Sequence, residues 1–199
     1  FLVVFIQNAV GLLMALIVNR RLKGDAFFRA SYFLPVVLGV TVSGLVWRMM
    51  MNPLGGPLSE LFKSLGLPTG FLSSYGAAFE WIIFVQIWMY MGYSMTIFLA
   101  GLQSIPKDLY DAAHIDGTNR WQAFRHVTFP MIAPSTTVNL LLAIIGALQT
   151  FDIIYVLTNG GFNTRTLAFD IYRDAIANNT TADYGLASAG AMVLFVFVF

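Results

Sequence analysis

The sequence predicts an all-α membrane protein, a polytopic bundle of about five transmembrane helices in a single domain over residues 1–199. The mean hydropathy is +0.73, with 58% hydrophobic and 11% charged residues. The apolar residues also fall in blocks of about 20, the length a helix needs to cross hydrocarbon with its own backbone hydrogen bonds satisfied. Cysteine is absent, which excludes disulfides and thiolate metal sites.

Five apolar stretches define the predicted spans, at residues 1–18, 27–51, 79–102, 131–157 and 184–199. The first stretch has no preceding basic residues and no small-residue cleavage site after it, so we interpret it as a span and not as a signal peptide. Because the chain starts with Phe1 and ends at Phe199 inside an apolar block, we expect both ends to be truncated, with at least one further helix upstream.

The distribution of basic residues predicts the orientation. Seven basic residues follow the first and third spans, and the opposite side holds four. By the positive-inside bias, the polar connection at 104–130 is cytoplasmic. The seven are Arg20, Arg21, Lys23, Arg29, Lys107, Arg120 and Arg125. The net charge of +1 is spread along the chain without a basic stripe, which argues against nucleic-acid binding.

The connection at 104–130 is predicted to begin with a short helix. Ser104 is placed as a capping hydroxyl, Pro106 falls in the first turn, and Asp108 suits the positive end of the helix. Gly117 can end this helix in a left-handed conformation.

A second short helix is predicted to follow at once. Asn119 and Gln122 have the spacing of a capping box, and Pro130 is predicted to end the helix. Trp121, Phe124 and Thr128 then recur on one apolar face. This face either docks on another protein or lies in the lipid headgroup region, with Trp121 as an interfacial anchor.

The same segment carries a motif. Asp111-Ala112-Ala113, three residues, Gly117, nine residues and then Val127-Thr128-Phe129-Pro130 resemble the "EAA, three, G, nine, I-x-L-P" loop of permeases of binding-protein-dependent ABC importers. Asp111 replaces the usual Glu, Val127 replaces Ile and Phe129 replaces Leu, each a substitution of similar character. The flanking segments 19–35 and 149–161 look like those of the carbohydrate-type, MalF/UgpA-like branch.

The resemblance implies a type I ABC importer permease fold that contains helices two to six of six. It implies that the loop forms coupling helices seated on a cytoplasmic ATP-binding subunit. ATP and Mg would be bound by that subunit, and this chain would need no cofactor. The docking residues implied are Asp111, Ala112, Ala113, Asp116, Gly117, Arg120, Phe124 and Pro130.

The resemblance further implies transport of a sugar or related polyol across the cytoplasmic (inner) membrane of a prokaryote. The other partners implied are a second, nonidentical permease subunit and an extracytoplasmic solute-binding protein. Consistent with a chain that is no enzyme, the sequence has no phosphate-binding loop and no metalloprotease or nucleophile-elbow motif. Its two histidines, His114 and His126, give no catalytic or metal cluster.

Polar residues within the apolar stretches are candidates for the solute pathway, because such groups are costly in lipid unless they pair or meet water. Asp152 and Gln149 are predicted to share one face of the fourth span, with Asn139 near it, and Gln86 and Tyr90 are stacked on the third span. Each of these residues also suits a hydrogen bond between helices, the favoured reading for Asn139 and Gln86. For Asp152 the favoured reading is likewise structural, either such a hydrogen bond or an acid at the outer membrane interface.

Glycines within the apolar stretches are interpreted as close-packing positions and not as hinges. They are Gly11, Gly39 and Gly44.

Three other functions remain open. The first is an ABC permease for an amino acid, polyamine or metal, which could share the loop. The second is an ion-coupled carrier with Asp152 as its coupling acid, although internal repeats are not evident. The third is a membrane scaffold that recruits a partner through the 104–130 segment.

Overall fold

The computed structural model describes residues 2–19, 25–177 and 182–198, and the regular structure in these ranges is helical. The long helices are α1 (Leu2–Val18), α2 (Asp25–Met50), α4 (Ala77–Gln103), α8 (Ala133–Leu148) and α11 (Tyr184–Val198). The short helices are α3 (Pro57–Ser64), α5 (Lys107–Ile115), α6 (Arg120–Ala123), α7 (Phe129–Met131), α9 (Asp152–Leu157) and α10 (Leu167–Tyr172). Two π-helical segments, Phe124–Thr128 and Arg173–Ala177, follow α6 and α10.

Two of these helices are long and apolar enough to cross a membrane alone. They are Phe27–Met50 of α2 and Ala77–Gln103, which is α4. The helical run Arg120–Met131 and α8 meet this criterion together, with a bend of 64° between them. Leu2–Val18 and Tyr184–Val198 are shorter apolar helices. The apolar helices thus coincide with the predicted apolar stretches, except in the fourth.

The fourth stretch, predicted as one span over 131–157, contains a break. Helix α8 ends at Leu148 and α9 begins at Asp152. Phe151 between them has φ −129° and ψ −57°, and its ring packs on Tyr155, Phe169 and Tyr172 at centroid distances of 4.9 to 6.0 Å. This ring packing accompanies the break, and the polar residues Gln149, Thr150 and Asp152 lie beside it.

A second break lies inside α2, at Gly39, where φ is 76° and ψ is 162°. This backbone region is open almost only to glycine. A Cβ atom placed on Gly39 would have nothing within 4 Å. The interpretation of Gly39 as a close-packing position was therefore wrong, and its role is conformational.

The described chain is organised in two compact units. The first comprises Phe1–Val37 and Tyr90–Ile144. Its apolar core brings together α1, the second half of α4 and the connecting residues that follow α4 and α7. The core residues are Ala15, Val18, Met95, Phe98, Leu99, Leu102, Ile105 and Ile132.

Close helix contacts hold the first unit together. A Cβ atom on Gly11 would lie 2.6 Å from the Cβ of Ser94, which confirms Gly11 as a close-packing position. Next to it, the Gln7 amide donates to the Ser94 hydroxyl at 2.9 Å. Gly92 contacts the backbone of Tyr32 so closely that no side chain fits there.

The second unit comprises Leu38–Met89 and Ile145–Phe199. Aromatic rings join α3 to the following helix in this unit, since Phe62, Phe71 and Trp81 contact one another at 4.9 to 6.0 Å. Gly44 is a close-packing position, because a Cβ there would lie 2.9 Å from Val156.

Candidate functional site

The turn between α5 and α6 is built around Gly117. Its φ is 75°, and its N–H donates to the carbonyl of His114 at 3.0 Å while the Thr118 N–H donates to that of Ala113 at 3.1 Å. These two bonds constitute a Schellman motif, which ends a helix through a left-handed residue. The Thr118 hydroxyl adds a bond of 2.7 Å to the same Ala113 carbonyl. The predicted left-handed end of the first helix is confirmed.

The start of α5 differs from the prediction. Pro106 occupies the N-cap position, without a side-chain cap, and the Ser104 hydroxyl instead donates to the Gly101 carbonyl at 2.8 Å. Ser104 therefore closes the end of α4 and does not cap α5. The fixed φ of Pro106 and the acid at Asp108 remain as the local signals for this helix start.

The capping box at the start of α6 is confirmed. The Asn119 side chain accepts from the Gln122 N–H at 2.9 Å, and the Gln122 side chain accepts from the Asn119 N–H at 2.8 Å. Two of the helix's free N–H groups are satisfied in this way.

The helix does not end at Phe129-Pro130 as predicted. It passes through the π-helical segment, where the Phe129 N–H donates to the Phe124 carbonyl, and continues to Met131. A proline ring clashes with the carbonyl four residues earlier in a regular α-helix. Widening the preceding turn accommodates Pro130 inside the helical run.

The two short helices are tied together by Tyr110 and Thr128, whose hydroxyl oxygens lie 3.0 Å apart. Thr128 is 5% exposed, so it lies on the inner side and not on an exposed face shared with Trp121. Sequence reasoning missed Tyr110, because a hydrogen bond across 18 residues has no periodic signal.

Most of the predicted docking residues lie on the surface of this segment. Asp111, Ala112, Asp116, Gly117, Arg120 and Pro130 are exposed, Phe124 is half-buried, and Ala113 is buried at 8%. The structure adds Ile115, which is 86% exposed, beside Trp121 at 67%. Trp121 stacks on Phe124 at 5.7 Å. Two large apolar side chains flanking the Gly117 turn are typical of the centre of a protein interface.

The candidate solute residues are distributed over both units. In the second unit, the buried Gln86 amide donates to the Thr150 hydroxyl at 3.0 Å, and Thr150 in turn donates to the Gly146 carbonyl at 2.9 Å. Gln86 thus makes a structural hydrogen bond, as the sequence favoured, but from α4 to the break after α8 and not to a second helix. The sequence analysis did not identify Thr150 as a hydrogen-bond partner, because composition does not distinguish a single threonine inside an apolar stretch.

Gln149 and Asp152 do not share a helical face, contrary to the prediction, because the break at 149–151 separates them. Both side chains are exposed, and Asp152 is the first residue of α9. A carboxylate there is favourable at the positive end of the helix.

Asn139 and Tyr90 belong to the first unit. Asn139 is 1% exposed, and its side-chain nitrogen has no hydrogen-bond acceptor among the described residues. Tyr90 is half-buried on α4. An unpaired amide donor at such a depth costs about 1–3 kcal/mol.

An aromatic cluster adjoins Asp152. Besides the ring of Phe151, it contains Tyr155, Phe169 and Tyr172, with Tyr155 and Tyr172 5.6 Å apart. The side-chain hydrogen bond to Tyr155 raises the pKa of Tyr172. Neutral hydroxyls and aromatic faces beside a carboxylate and an amide suit a polyol.

The family model described as "Binding-protein-dependent transport system inner membrane component" matches residues 7–199.

Curated relatives match over almost all of this chain. The trehalose/maltose transport system permease protein MalF of Thermococcus litoralis is 37% identical over 204 residues, covering 100% of this chain and 67% of its own length. The multiple sugar-binding transport system permease protein MsmF of Streptococcus mutans is 36% identical, covering 96% of this chain and 66% of its own length. The chain therefore spans about two thirds of the length of these relatives.

One solved structure matches this chain with a TM-score of 0.81. It is a bacterial alginate ABC transporter in complex with an alginate pentasaccharide-bound periplasmic protein. The identity is 24%, and the match covers 99% of this chain and 71% of that chain. At this identity the likeness establishes the fold alone.

Proposed function

Because this chain belongs to the family of inner-membrane components of binding-protein-dependent transport systems, we propose that it is the permease of a carbohydrate ABC importer. It is a multi-pass membrane protein of the transport-permease class. The proposed solute is a sugar or related polyol, in line with the trehalose/maltose and multiple-sugar permeases to which the chain is similar.

The observation that carries the proposal is the geometry of the segment 104–130. A left-handed Gly117 turns the chain between two short helices, and the neighbouring Ile115 and Trp121 expose large apolar side chains. Charged groups of both signs, among them Asp111, Asp116 and Arg120, surround them. We call the segment 104–130 the docking projection. Its exposed apolar side chains and its charged groups of both signs suit a cleft in a soluble partner.

The partner proposed for this projection is a cytoplasmic ATP-binding subunit, with ATP and Mg bound there. ATP-driven closure of paired ATP-binding subunits would move the docked segments. Since only residues 104–106 separate α4 from α5 and only Ile132 separates α7 from α8, that movement would be transmitted to both adjacent helices. A second, nonidentical permease subunit and an extracytoplasmic solute-binding protein complete the proposed complex.

The proposed solute-contacting groups in this chain are Asp152 and Gln149, with Tyr155 as an aromatic face 45% exposed. Asn139 is proposed as a further polar contact, on account of its unpaired buried amide nitrogen. Gln86 is assigned to packing, because its amide is already bonded to Thr150.

Co-purification tests the docking role. The full-length membrane protein would be purified in mild detergent, and the bound subunits identified by mass spectrometry. We expect an ATP-binding subunit to co-purify with the protein that carries the native loop. It should be absent from the preparation of the double variant Asp111→Lys/Gly117→Val. If no ATP-binding subunit appears under conditions that preserve known importers, the ion-coupled carrier becomes the better explanation.

A further inference from the structure

An open groove lies within the first unit, between the start of α2 and the second half of α4. Its volume is 330 Å³, and it is lined by Arg29, Ala30, Phe33, Met95, Thr96 and Leu99. A pocket of this size falls at the lower end of the range for small-molecule sites. It has room for part of one flexible chain, not for a large ligand.

The groove adjoins the closest crossing of these two helices. Gly92 abuts the backbone of Tyr32, and the groove begins next to this contact, at Phe33 and Met95. The small side chains of Ala30 and Thr96 leave space in its walls. The Thr96 hydroxyl donates to the Gly92 carbonyl at 2.9 Å, so this hydroxyl is already paired and the α4 side of the groove, with Met95 and Leu99, is mainly apolar.

The surface around the groove is apolar and exposed. Only 17% of the span Phe27–Met50 is buried within the described chain. On the same helix, Phe27, Leu34 and Val37 are 73%, 55% and 69% exposed. Hydrocarbon is the natural environment for such a surface, and an apolar groove that opens onto it is accessible to an acyl chain.

Arg29 supplies the positive charge of the groove. It is the third residue of the apolar span, about 3 Å along the axis from its end at 1.5 Å per residue. At this depth a guanidinium reaches the level of lipid phosphates. Arg29 also interacts within the protein, but five N–H donors leave capacity for a phosphate in addition.

From these observations we infer that this groove binds an anionic phospholipid, with the headgroup phosphate on Arg29 and an acyl chain between Phe33, Met95 and Leu99. Basic pockets between membrane helices on the cytoplasmic side are suited to acidic headgroups. The choice of the cytoplasmic leaflet rests on the proposed function, in which the segment 104–130 faces the cytoplasm. The lipid site itself depends only on the groove and its charge.

Native mass spectrometry of the full-length protein tests this inference, with phosphatidylglycerol and phosphatidylethanolamine offered in equal amounts. We expect the parent protein to retain phosphatidylglycerol preferentially. Arg29→Gln should weaken that retention about fivefold, the factor that corresponds to about 1 kcal/mol for one basic side chain near the surface. Arg29→Lys should preserve most of it, and Ala30→Phe, which fills the groove without changing charge, should abolish it.

Lys63→Gln is the matched control, since it removes one positive charge from the exposed surface of α3 and should leave retention unchanged. Thermal unfolding of each variant verifies that it is folded. Equal retention by the parent and the folded Arg29→Gln and Ala30→Phe variants would overturn the inference. So would displacement of the bound lipid by millimolar inorganic phosphate, which would indicate a free-anion site.

A cysteine cross-link separates lipid from protein as the occupant. The chain contains no cysteine, so Ala30→Cys provides a single reactive thiol in the groove. Cross-linking of this thiol to another subunit of the purified complex would overturn the lipid assignment. Lipid retention is measured without solute uptake or ATP hydrolysis. The lipid result can therefore be interpreted even if the proposed transport function is wrong.

Discussion

The phenol oxygen of Tyr110 lies 3.0 Å from the hydroxyl oxygen of Thr128, and this contact joins α5 to the π-helical segment that follows α6. The two residues are 18 positions apart and stand on opposite sides of the Gly117 turn. The turn sets the direction of the chain, and the hydroxyl pair holds the two helices against each other. A docking projection needs both, because a mobile projection would absorb movement instead of transmitting it.

Removing this contact should loosen the projection without unfolding the protein. We expect Tyr110→Phe to lower the local stability of the segment by about 0.5–1.5 kcal/mol, the net contribution of one hydrogen bond. Hydrogen exchange of the amides in 119–131 should accelerate accordingly, and less ATP-binding subunit should co-purify. Tyr93→Phe, at a 38% exposed tyrosine of α4, is the control. Unchanged exchange in 119–131 would contradict the role given to the pair.

The left-handed conformation of Gly117 predicts a graded response to substitution. Gly117→Val should be strongly unfavourable, because a left-handed conformation costs an ordinary residue about 1–2 kcal/mol and a β-branched residue more. Gly117→Asn should be tolerated, since asparagine adopts this conformation more readily. No atom would contact the added Cβ, so the difference reflects backbone conformation alone. Coupling of ATP hydrolysis to uptake is the measurement, and equal coupling in both variants would argue against a role for the turn.

The break at Gly39 gives a prediction about stability. Gly39→Ala should destabilise the protein by about 1–3 kcal/mol, because the φ of 76° with ψ of 162° is accessible almost only to glycine. Gly146→Ala is the matched control, in an unkinked helix where the added methyl group also meets nothing within 4 Å. Gly146→Ala should be neutral or slightly stabilising. Thermal unfolding in detergent compares the two, and similar shifts would mean that the break at Gly39 is not required.

Asp152 and Gln86 should respond differently to mutation. Asp152 is exposed at the start of α9, so Asp152→Asn should reduce solute uptake while the complex still assembles. Gln86 is buried and bonded to Thr150, so Gln86→Leu should lower thermal stability by an amount on the order of 1 kcal/mol and affect uptake only through stability. Uptake by the reconstituted complex and its unfolding temperature are measured on the same preparations. Normal uptake in Asp152→Asn would remove this residue from the solute pathway.

Local chemistry determined much of the 104–130 segment. Gly117 and the Asn119 and Gln122 pair act over three or four residues, and both form the predicted geometry. The motif from Asp111 to Pro130 likewise identified the family, because its spacing is contained in one continuous segment. The apolar stretches were equally clear, since the requirement to satisfy the backbone in lipid is expressed in composition.

Tertiary structure decided where the regular helices fail. Phe151 lies among the polar residues Gln149, Thr150 and Asp152, but polar residues within a long apolar stretch do not by themselves show that the helix is broken there. The rings of Phe169 and Tyr172, contributed by a later segment, pack on Phe151 at the break. Gly39 could equally have been a packing position such as Gly11, and what distinguishes them is whether another helix lies opposite. The bonds from Tyr110 to Thr128 and from Gln86 to Thr150 likewise depend on which helices meet. Composition, helix caps and turns act through neighbouring residues. Helix breaks and hydrogen bonds between segments arise from contacts between residues distant in the chain, and these contacts exist only once the helices have packed.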